Sequence, residues 1–345
     1  MNTPRQQEIF WIILKDQPLG IAGILKEMTK KISIPSLNRD LSRLRESNFI
    51  SSEGNGPSTK YKVNLKGLVH AIIDTDSYFK TDTDNRKILD KYNPSIFDSL
   101  ESVPLFTQKE ITFLDTLTNT YQQKIKAISA NNYKREFERL TIELSWKSSQ
   151  IEGNTYDLLD TEQLLKYNIT ATNHTEEEAI MLLNHKIAIE YTRENKDLFN
   201  HLTVREIIDI HALLTQKLGI SKSVRNRLVR ITGTKYTPPD NQFVIEEALE
   251  NLCVSVNSIS NVFEKALRTL LIISYLQPFD DGNKRTARLA ANALLMAGER
   301  CPLSYRSVNP SEYKKSILLF YELNNVNAFK KIFIDQYQFA VENYF

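Results

Sequence analysis

Tyr275-Leu276-Gln277-Pro278-Phe279-Asp280-Asp281-Gly282-Asn283-Lys284-Arg285-Thr286-Ala287-Arg288 sets a polar, glycine-containing loop between two strongly helical segments. Upstream, Ala266, Leu267, Leu270, Leu271 and Ile273 to Leu276 form an apolar run suited to a buried helix. Pro278 stops that helix, because it has no N–H to donate and disfavours helical geometry at Gln277. Downstream, Leu289 to Met296 resumes as a helix rich in alanine and leucine. The loop therefore ends at a helix N-terminus, where the N–H groups of Gly282, Asn283 and Lys284 lack intrahelical acceptors and can point together at an anion. Arg285 and Arg288 lie three apart on one helical face, and Asp281 offers a hard oxygen ligand beside them. Two cations and one carboxylate suit a polyphosphate carried with Mg2+. Each residue taken singly is equally well explained by a capped helix start with solvated arginines.

At these residues the sequence resembles the Fic family, whose signature reads His-Pro-Phe-x-Asp/Glu-Gly-Asn-Gly-Arg-x-x-Arg and whose members typically transfer AMP from ATP to a protein hydroxyl. The resemblance implies that Asp281 is the magnesium ligand, that Gly282 and Asn283 belong to the anion hole, and that Arg285 and Arg288 meet the outer phosphates. Two positions depart from the signature. The family's His, the general base, is replaced by Gln277, whose amide has no usable basicity near neutral pH. General base catalysis contributes roughly a hundred- to ten-thousand-fold, so AMP transfer should be slow or absent. Lys284 stands where most of the family has Gly, which is similar to the Doc branch, whose members phosphorylate their target and bind ATP in the opposite sense. None of the five histidines, His70, His174, His185, His201 and His211, lies near the motif in sequence.

With 345 residues, 41% hydrophobic and 25% charged, the chain has the composition of an ordinary soluble protein of about two domains. A formal charge of +2 argues against a nucleic-acid coat or membrane-surface role for the whole chain. Cys253 and Cys301 lack metal-ligand spacing and sit in apolar stretches, as reduced core cysteines do. The polar start and the short apolar runs give neither a signal peptide nor a membrane span, so the expected location is cytoplasmic.

Residues 1–65 read as helices over 7–14, 21–29 and 35–46, then strands over 49–52 and 60–63 around Gly54-Asn55-Gly56-Pro57. This order resembles a winged helix. In the third helix Leu37, Leu41 and Leu44 would face the core, leaving Asn38, Arg39, Ser42 and Arg43 outside as possible DNA contacts. The local surplus of positive charge is modest, and a protein-docking role stands equally open. Residues 66–105 read as a connector, and 106–345 as the main helical domain.

The segment near 136–153 reads as a helix ended by Gly153, which sets Glu152 at the C-terminus, against the helix dipole. By itself this is a surface Glu tolerating a small penalty. Ser148 to Gly153 also resembles the Ser/Thr-x-x-x-Glu-Gly/Asn inhibitory motif of many Fic proteins. In that family the Glu pairs with the second Arg of the loop motif, here Arg288, and occupies the space a terminal phosphate needs. Capping boxes at Thr175–Glu178 and Thr203–Glu206 start scaffold helices, on which His185 and His211 read as packed or capping residues. Val229 to Tyr236, with Ile231, Thr232, Gly233 and Thr234 at its turn, reads as a hairpin; Fic proteins carry at this place a flap that holds the target segment by strand addition.

The expected architecture is mostly α: a Fic-type helical bundle with a β-hairpin flap, preceded by a winged-helix domain. The expected ligands are ATP and Mg2+, with an unidentified target protein, DNA as a possible partner of residues 1–65, and no membrane. Two further readings stay open: a non-catalytic nucleotide-sensing regulator acting through its winged helix, and a Doc-like protein kinase.

Overall fold

The computed structural model describes residues 3–101 and 103–345, among which sixteen α-helices and one three-stranded sheet are found. The chain opens with α1 (Pro4–Asp16), β1 (Leu19–Gly20), α2 (Ile21–Glu27), α3 (Ile34–Glu46), β2 (Ile50–Glu53) and β3 (Lys60–Val63). Local signals start these helices: the Thr3 hydroxyl accepts from Gln6 N at 3.2 Å, and Ser33 caps α3 just before Pro35 in its first turn. The sheet is antiparallel in the order β1-β3-β2, with Leu19 opposite Tyr61 and Ile50 opposite Val63. The two residues of β1 carry no alternation that a sequence pattern could register. As the helical spacing predicts, Leu37, Leu41 and Leu44 are buried while Asn38, Arg39, Ser42 and Arg43 are exposed.

Next come α4 (Leu65–His70), α5 (Thr75–Phe79) and α6 (Ile96–Glu101). This stretch is packed on both sides: Tyr78 belongs to the N-terminal core, which Leu319 and Leu323 help to close, whereas Val69, Ile96 and Leu100 enter the main core. Between α5 and α6, the buried Arg86 pairs with the buried Glu322 at 2.9 Å, and Tyr78 OH donates to the same carboxylate at 2.6 Å.

The remaining helices are α7 (Gln108–Ala127), α8 (Ala130–Ile151), α9 (Leu158–Tyr167), α10 (Glu176–Glu194), α11 (Val204–Leu214), α12 (Gln242–Ser258), α13 (Val262–Leu276), α14 (Asn283–Ala297), α15 (Pro310–Leu323) and α16 (Asn327–Asn343). The capping boxes at Thr175–Glu178 and Thr203–Glu206 are formed, and a third joins Thr107 to Glu110. α13 is buried without a break from Ala266 to Leu276. Complete burial contributes about 2 kcal/mol for each of Leu267, Leu270, Leu271, Ile272 and Ile273. α14 packs closely against α13, and its Ala287, Ala290, Ala291 and Ala293 are fully buried. α8, α10 and α11 lie against α14 from other sides.

The expected hairpin at Val229–Tyr236 is not formed. A turn is present at Thr232-Gly233, with Gly233 at φ +89°, but its two flanks do not pair with each other. Backbone pairing falls instead on Thr237, just beyond this stretch, whose partner comes from the chain between α5 and α6. Thr237 N donates to Asp90 O at 2.9 Å, Tyr92 N donates to Thr237 O at 3.2 Å, and Arg86 donates to Gly233 O at 2.6 Å. Pro238 and Pro239 then remove the next two backbone donors. Cys253 and Cys301 are buried and unpaired with each other, and among the described residues no helix is long and apolar enough to cross a membrane.

Candidate active site

The loop between α13 and α14 is shaped by contacts within it and by residues distant in sequence. Gln277 ends α13 in the left-handed conformation, at φ 47°. The buried Arg225 collects the carbonyls freed there, donating from Nε to Gln277 O at 2.6 Å and from Nη2 to Leu276 O at 3.2 Å and Pro239 O at 2.6 Å. Phe279 is fully buried, and its ring stacks on His211 with centroids 3.7 Å apart and planes 5° from parallel. His211 Nε2 lies 3.0 Å from Asp281 O. Asn283 fixes the bend, its amide both accepting from Phe279 N and donating to Phe279 O at 2.8 Å.

Gly282 is the N-cap of α14, at φ +78°, and no side chain caps the helix. A Cβ at this position would meet Thr215 Cγ2 at 3.1 Å, so only glycine gives both the backbone angle and the clearance. The first-turn N–H groups of α14 are thus left without a side-chain cap, at the positive end of a buried helix.

Arg285 and Arg288 run inward from α14. Arg285 is 2% exposed and donates from Nη2 to Asp281 Oδ2 at 3.2 Å, while its Nε and Nη1 find no partner among the described residues. Burial lowers the pKa of this guanidinium. Asp281 itself stands 66% exposed at the mouth of the loop. Arg288, fully buried, donates to Ser148 Oγ at 2.9 Å, Ser148 O at 2.8 Å, Glu152 Oε1 at 2.9 Å and Tyr313 OH at 3.3 Å.

Glu152 is the C-cap of α8 and reaches two cations at once, because Lys284 Nζ donates to its other oxygen, Oε2, at 3.0 Å. Burial opposes its charged form, but Arg288 and Lys284 outweigh burial and hold its pKa below the usual carboxylate range. Burial also lowers the pKa of His185 to about 3, helped by Arg288 and Arg285, so this imidazole is neutral; its Nε2 lies 2.8 Å from Ser148 Oγ. His211 is likewise pushed down, to about 4, chiefly by burial.

The structure therefore joins Ser148, Glu152, Lys284 and Arg288 in one network and sets Arg285 and Asp281 beside it. Three expected roles read differently in space. Asn283 spends its side chain on the loop, leaving its backbone N–H for an anion. The Gln277 amide turns back to donate to Ser274 O at 2.7 Å. Ile231, Thr232, Gly233 and Thr234 do not line the pairing edge of a hairpin; their segment is tied to the C-terminal end of α13 through Tyr236, whose ring stacks on Tyr275 at 4.6 Å and whose hydroxyl donates to Tyr275 O at 2.9 Å. Arg225 and the two histidines were not legible as site residues, because the contacts that recruit them are tertiary. Among the described residues no cluster of three or more His, Cys, Asp or Glu could hold a metal alone.

Residues 201–295, which hold α11 to α13, the loop and most of α14, match the model of the Fic/DOC family. The chain carries a Fic/DOC domain. Beyond it, the chain is 25% identical over 220 residues to a protein named protein adenylyltransferase Fic from Nematostella vectensis, covering 61% of this chain and 51% of that protein. A protein of the same name from Drosophila mojavensis is 24% identical over 232 residues, covering 64% of this chain and 46% of that protein. The chain thus spans about half the length of these relatives. Among solved structures, Fic-1 (residues 134–508) from Caenorhabditis elegans superposes with a TM-score of 0.61 at 18% identity, over 94% of this chain and 91% of that one. A Fic domain containing signaling protein from Bacteroides thetaiotaomicron gives 0.58 at 19% identity, over 66% and 95%. The two solved structures share the fold of this chain.

Proposed function

We propose that this Fic/DOC protein binds ATP with magnesium at the N-terminus of α14 and is held from productive binding by Glu152. The observation that carries this reading is the sharing of the Glu152 carboxylate between Arg288 and Lys284. Those cations are the ones a terminal phosphate would need, so Glu152 and the phosphate compete for the same charge and space. The residues fit a phosphate chain: uncapped amides at Gly282 to Lys284, a buried guanidinium on Arg285 with two orphaned donors, and a second guanidinium on Arg288. They also fit a magnesium ion delivered by the nucleotide, since such an ion takes one or two carboxylates and fills its remaining positions with phosphate oxygens and water. Asp281 supplies that carboxylate. Bound there, magnesium would offset phosphate charge.

The relatives' name makes AMP transfer to a protein hydroxyl the parent chemistry, and this chain departs from it at the base. Gln277 offers an amide whose N–H is committed to Ser274 O, and the neutral His185 and His211 are engaged with Ser148 and Asp281. AMP transfer is accordingly slow or absent. The same observation favours a second reading, a nucleotide-sensing regulator without catalysis.

Incubating Glu152→Gly protein with ATP labelled at the α or the γ phosphate separates these outcomes. Label from the α position on protein supports AMP transfer, and label from the γ position supports phosphoryl transfer as in the Doc branch. Neither label, with ATP binding retained, supports the regulator. Absence of ATP binding in Glu152→Gly overturns the site itself.

A further inference from the structure

We propose that the cavity enclosed by α7, α8, the end of α10 and the C-terminal end of α14 is a binding site for a small aromatic acid. It holds about 330 Å3, toward the small end of the range for ligand sites, roughly 300–1,000 Å3. Met296, which lines it, stands at the C-terminal end of α14, and the loop between α13 and α14 stands at the other end. With 15 residues that helix is about 22 Å long, so the cavity is a place apart from the candidate active site.

Part of the lining is apolar and aromatic: Tyr121 and Ile125 from α7, Tyr133 from α8 and Met296 from α14. Phe345 fixes the two tyrosine rings. It meets Tyr121 edge-on with centroids 5.5 Å apart, and it lies on Tyr133 at 5.3 Å with planes 27° from parallel. Rings held in this way form a wall ready for another flat apolar group, which gains from burial and from offset or edge-on contact at little cost in ordering the protein.

The rest of the lining is mostly positive: Lys126, Arg193, Lys196 and Arg300 stand against one carboxylate, Glu299. Rings hold the two guanidinium groups, Arg193 at 4.6 Å from the Phe137 centroid and Arg300 at 5.8 Å from that of Phe263. Arg193 also donates to Glu194 at 3.3 Å, and Arg300 to Gly298 O. Helix ends account for some of this charge, because Lys126 and Arg193 stand in the last turns of α7 and α10, where a cation meets the negative end of the dipole. Lys196 is not explained that way: it opens a 3-10 turn, Lys196–Asn200, at the end where the dipole disfavours a cation. Cations brought from separate stretches of chain around an apolar wall focus a positive potential into the cavity. A ring bearing one acid group answers both halves, with the ring on the tyrosines and Met296 and the acid among the cations. A polyphosphate would leave the apolar wall unused, and a neutral ring would leave the cations unanswered.

The test is a fluorescence titration of the full chain with 8-anilinonaphthalene-1-sulfonate, an aromatic acid whose emission rises in apolar surroundings. One saturable site is expected, weakened as salt is raised from about 50 to 500 mM, because the cations at the rim are screened. Lys126→Glu combined with Lys196→Glu, both at exposed positions, should weaken binding at least roughly tenfold. Gln122→Trp, which sets an indole at the half-buried Gln122 position of the lining, should abolish it. Both variants should keep the circular dichroism spectrum of the unaltered chain. In Glu152→Gly protein, saturating Mg-ATP should leave the probe in place. No saturable binding below about 1 mM overturns the proposal. So does binding that either variant leaves intact, as the exposed Phe243 and Val254 would give. Displacement by Mg-ATP overturns it as well, since it would put the probe at the α14 loop. Binding of the probe and binding of ATP are therefore scored separately.

Discussion

Replacing Glu152 by Gly removes the carboxylate that two cations share, and the consequence for ATP can be worked from the contacts. Breaking a buried ion pair by deleting one partner costs about 3–5 kcal/mol. Arg288 keeps Ser148 Oγ, Ser148 O and Tyr313 OH as acceptors, and Glu152 is 19% exposed, so the low end, about 3 kcal/mol, applies here. That energy is also the barrier an incoming phosphate meets in the unaltered protein, because it must displace Glu152 before it reaches Arg288 and Lys284. At 1.4 kcal/mol per decade, the unaltered protein should bind Mg-ATP roughly 100-fold more weakly than Glu152→Gly. Two measurements check the two halves of this reasoning. Urea denaturation should find Glu152→Gly less stable by about 3 kcal/mol, and Mg-ATP at a hundred times its dissociation constant should return about 2.7 kcal/mol. Titration calorimetry should give the affinity ratio directly. Equal affinities in the two proteins would refute the competition between carboxylate and phosphate, whatever the stability result.

Gln277→His in the Glu152→Gly background should raise self-modification from α-labelled ATP by roughly a hundred- to ten-thousand-fold, since it restores a base where the other phosphate-handling groups already stand. No gain would show that Gln277 is not the only defect. Gly282→Ala should cost about 1–3 kcal/mol in urea denaturation and weaken ATP binding, because its φ is +78° and the added methyl meets Thr215 at 3.1 Å; an unchanged midpoint refutes this. Acid should destabilise the protein through its buried histidines. His211 takes a proton near pH 6.5 when unfolded but only at about 4 when folded, so its full contribution is present above pH 6.5 and falls away below it. Between pH 6.5 and 5 this amounts to about 2 kcal/mol. His211→Gln should therefore flatten the fall of the urea midpoint between pH 7 and 5, and an unchanged slope would contradict the assignment.

The mostly helical fold was legible because its signals are local. Apolar spacing marks α13 and α14, Thr175 and Thr203 with their glutamates mark two helix starts, and Pro278 and Gly282 bound the loop. α3 was legible face by face for the same reason. What could not be read depends on the third dimension. Val229 to Tyr236 has the composition of a hairpin, but the backbone pairing is made by the next residue, Thr237, with Asp90 and Tyr92 far away in sequence, and β-branched residues do not specify which strand they pair with. Lys284 was legible as an added charge in the anion hole, yet its tie to Glu152 needs α8 to dock on α14. Arg225 sits in irregular chain and holds the end of α13 through carbonyls about fifty residues on, and no periodicity encodes that.

The energetics of α14 bear on whether the site has lost its ligand along with its base. Position 277 tolerates an amide at no cost to the fold: the side chain bonds Ser274 O, and the backbone is held by Arg225 whichever residue stands there. Arg285 is different. It is buried with two donors unpartnered, and each such donor costs about 1–3 kcal/mol relative to one that is satisfied. An apolar side chain of similar size would remove that cost, and the surrounding helices supply no structural reason for a guanidinium there. Asp281, the carboxylate that reaches it among the described residues, is two-thirds exposed and screens it weakly. The uncapped amides of α14 add to the same deficit. On the proposed function a bound phosphate chain would resolve both together, because it would accept from the orphaned guanidinium donors and cap the helix. On that proposal, an amide in place of the base at position 277 leaves that reason for binding intact.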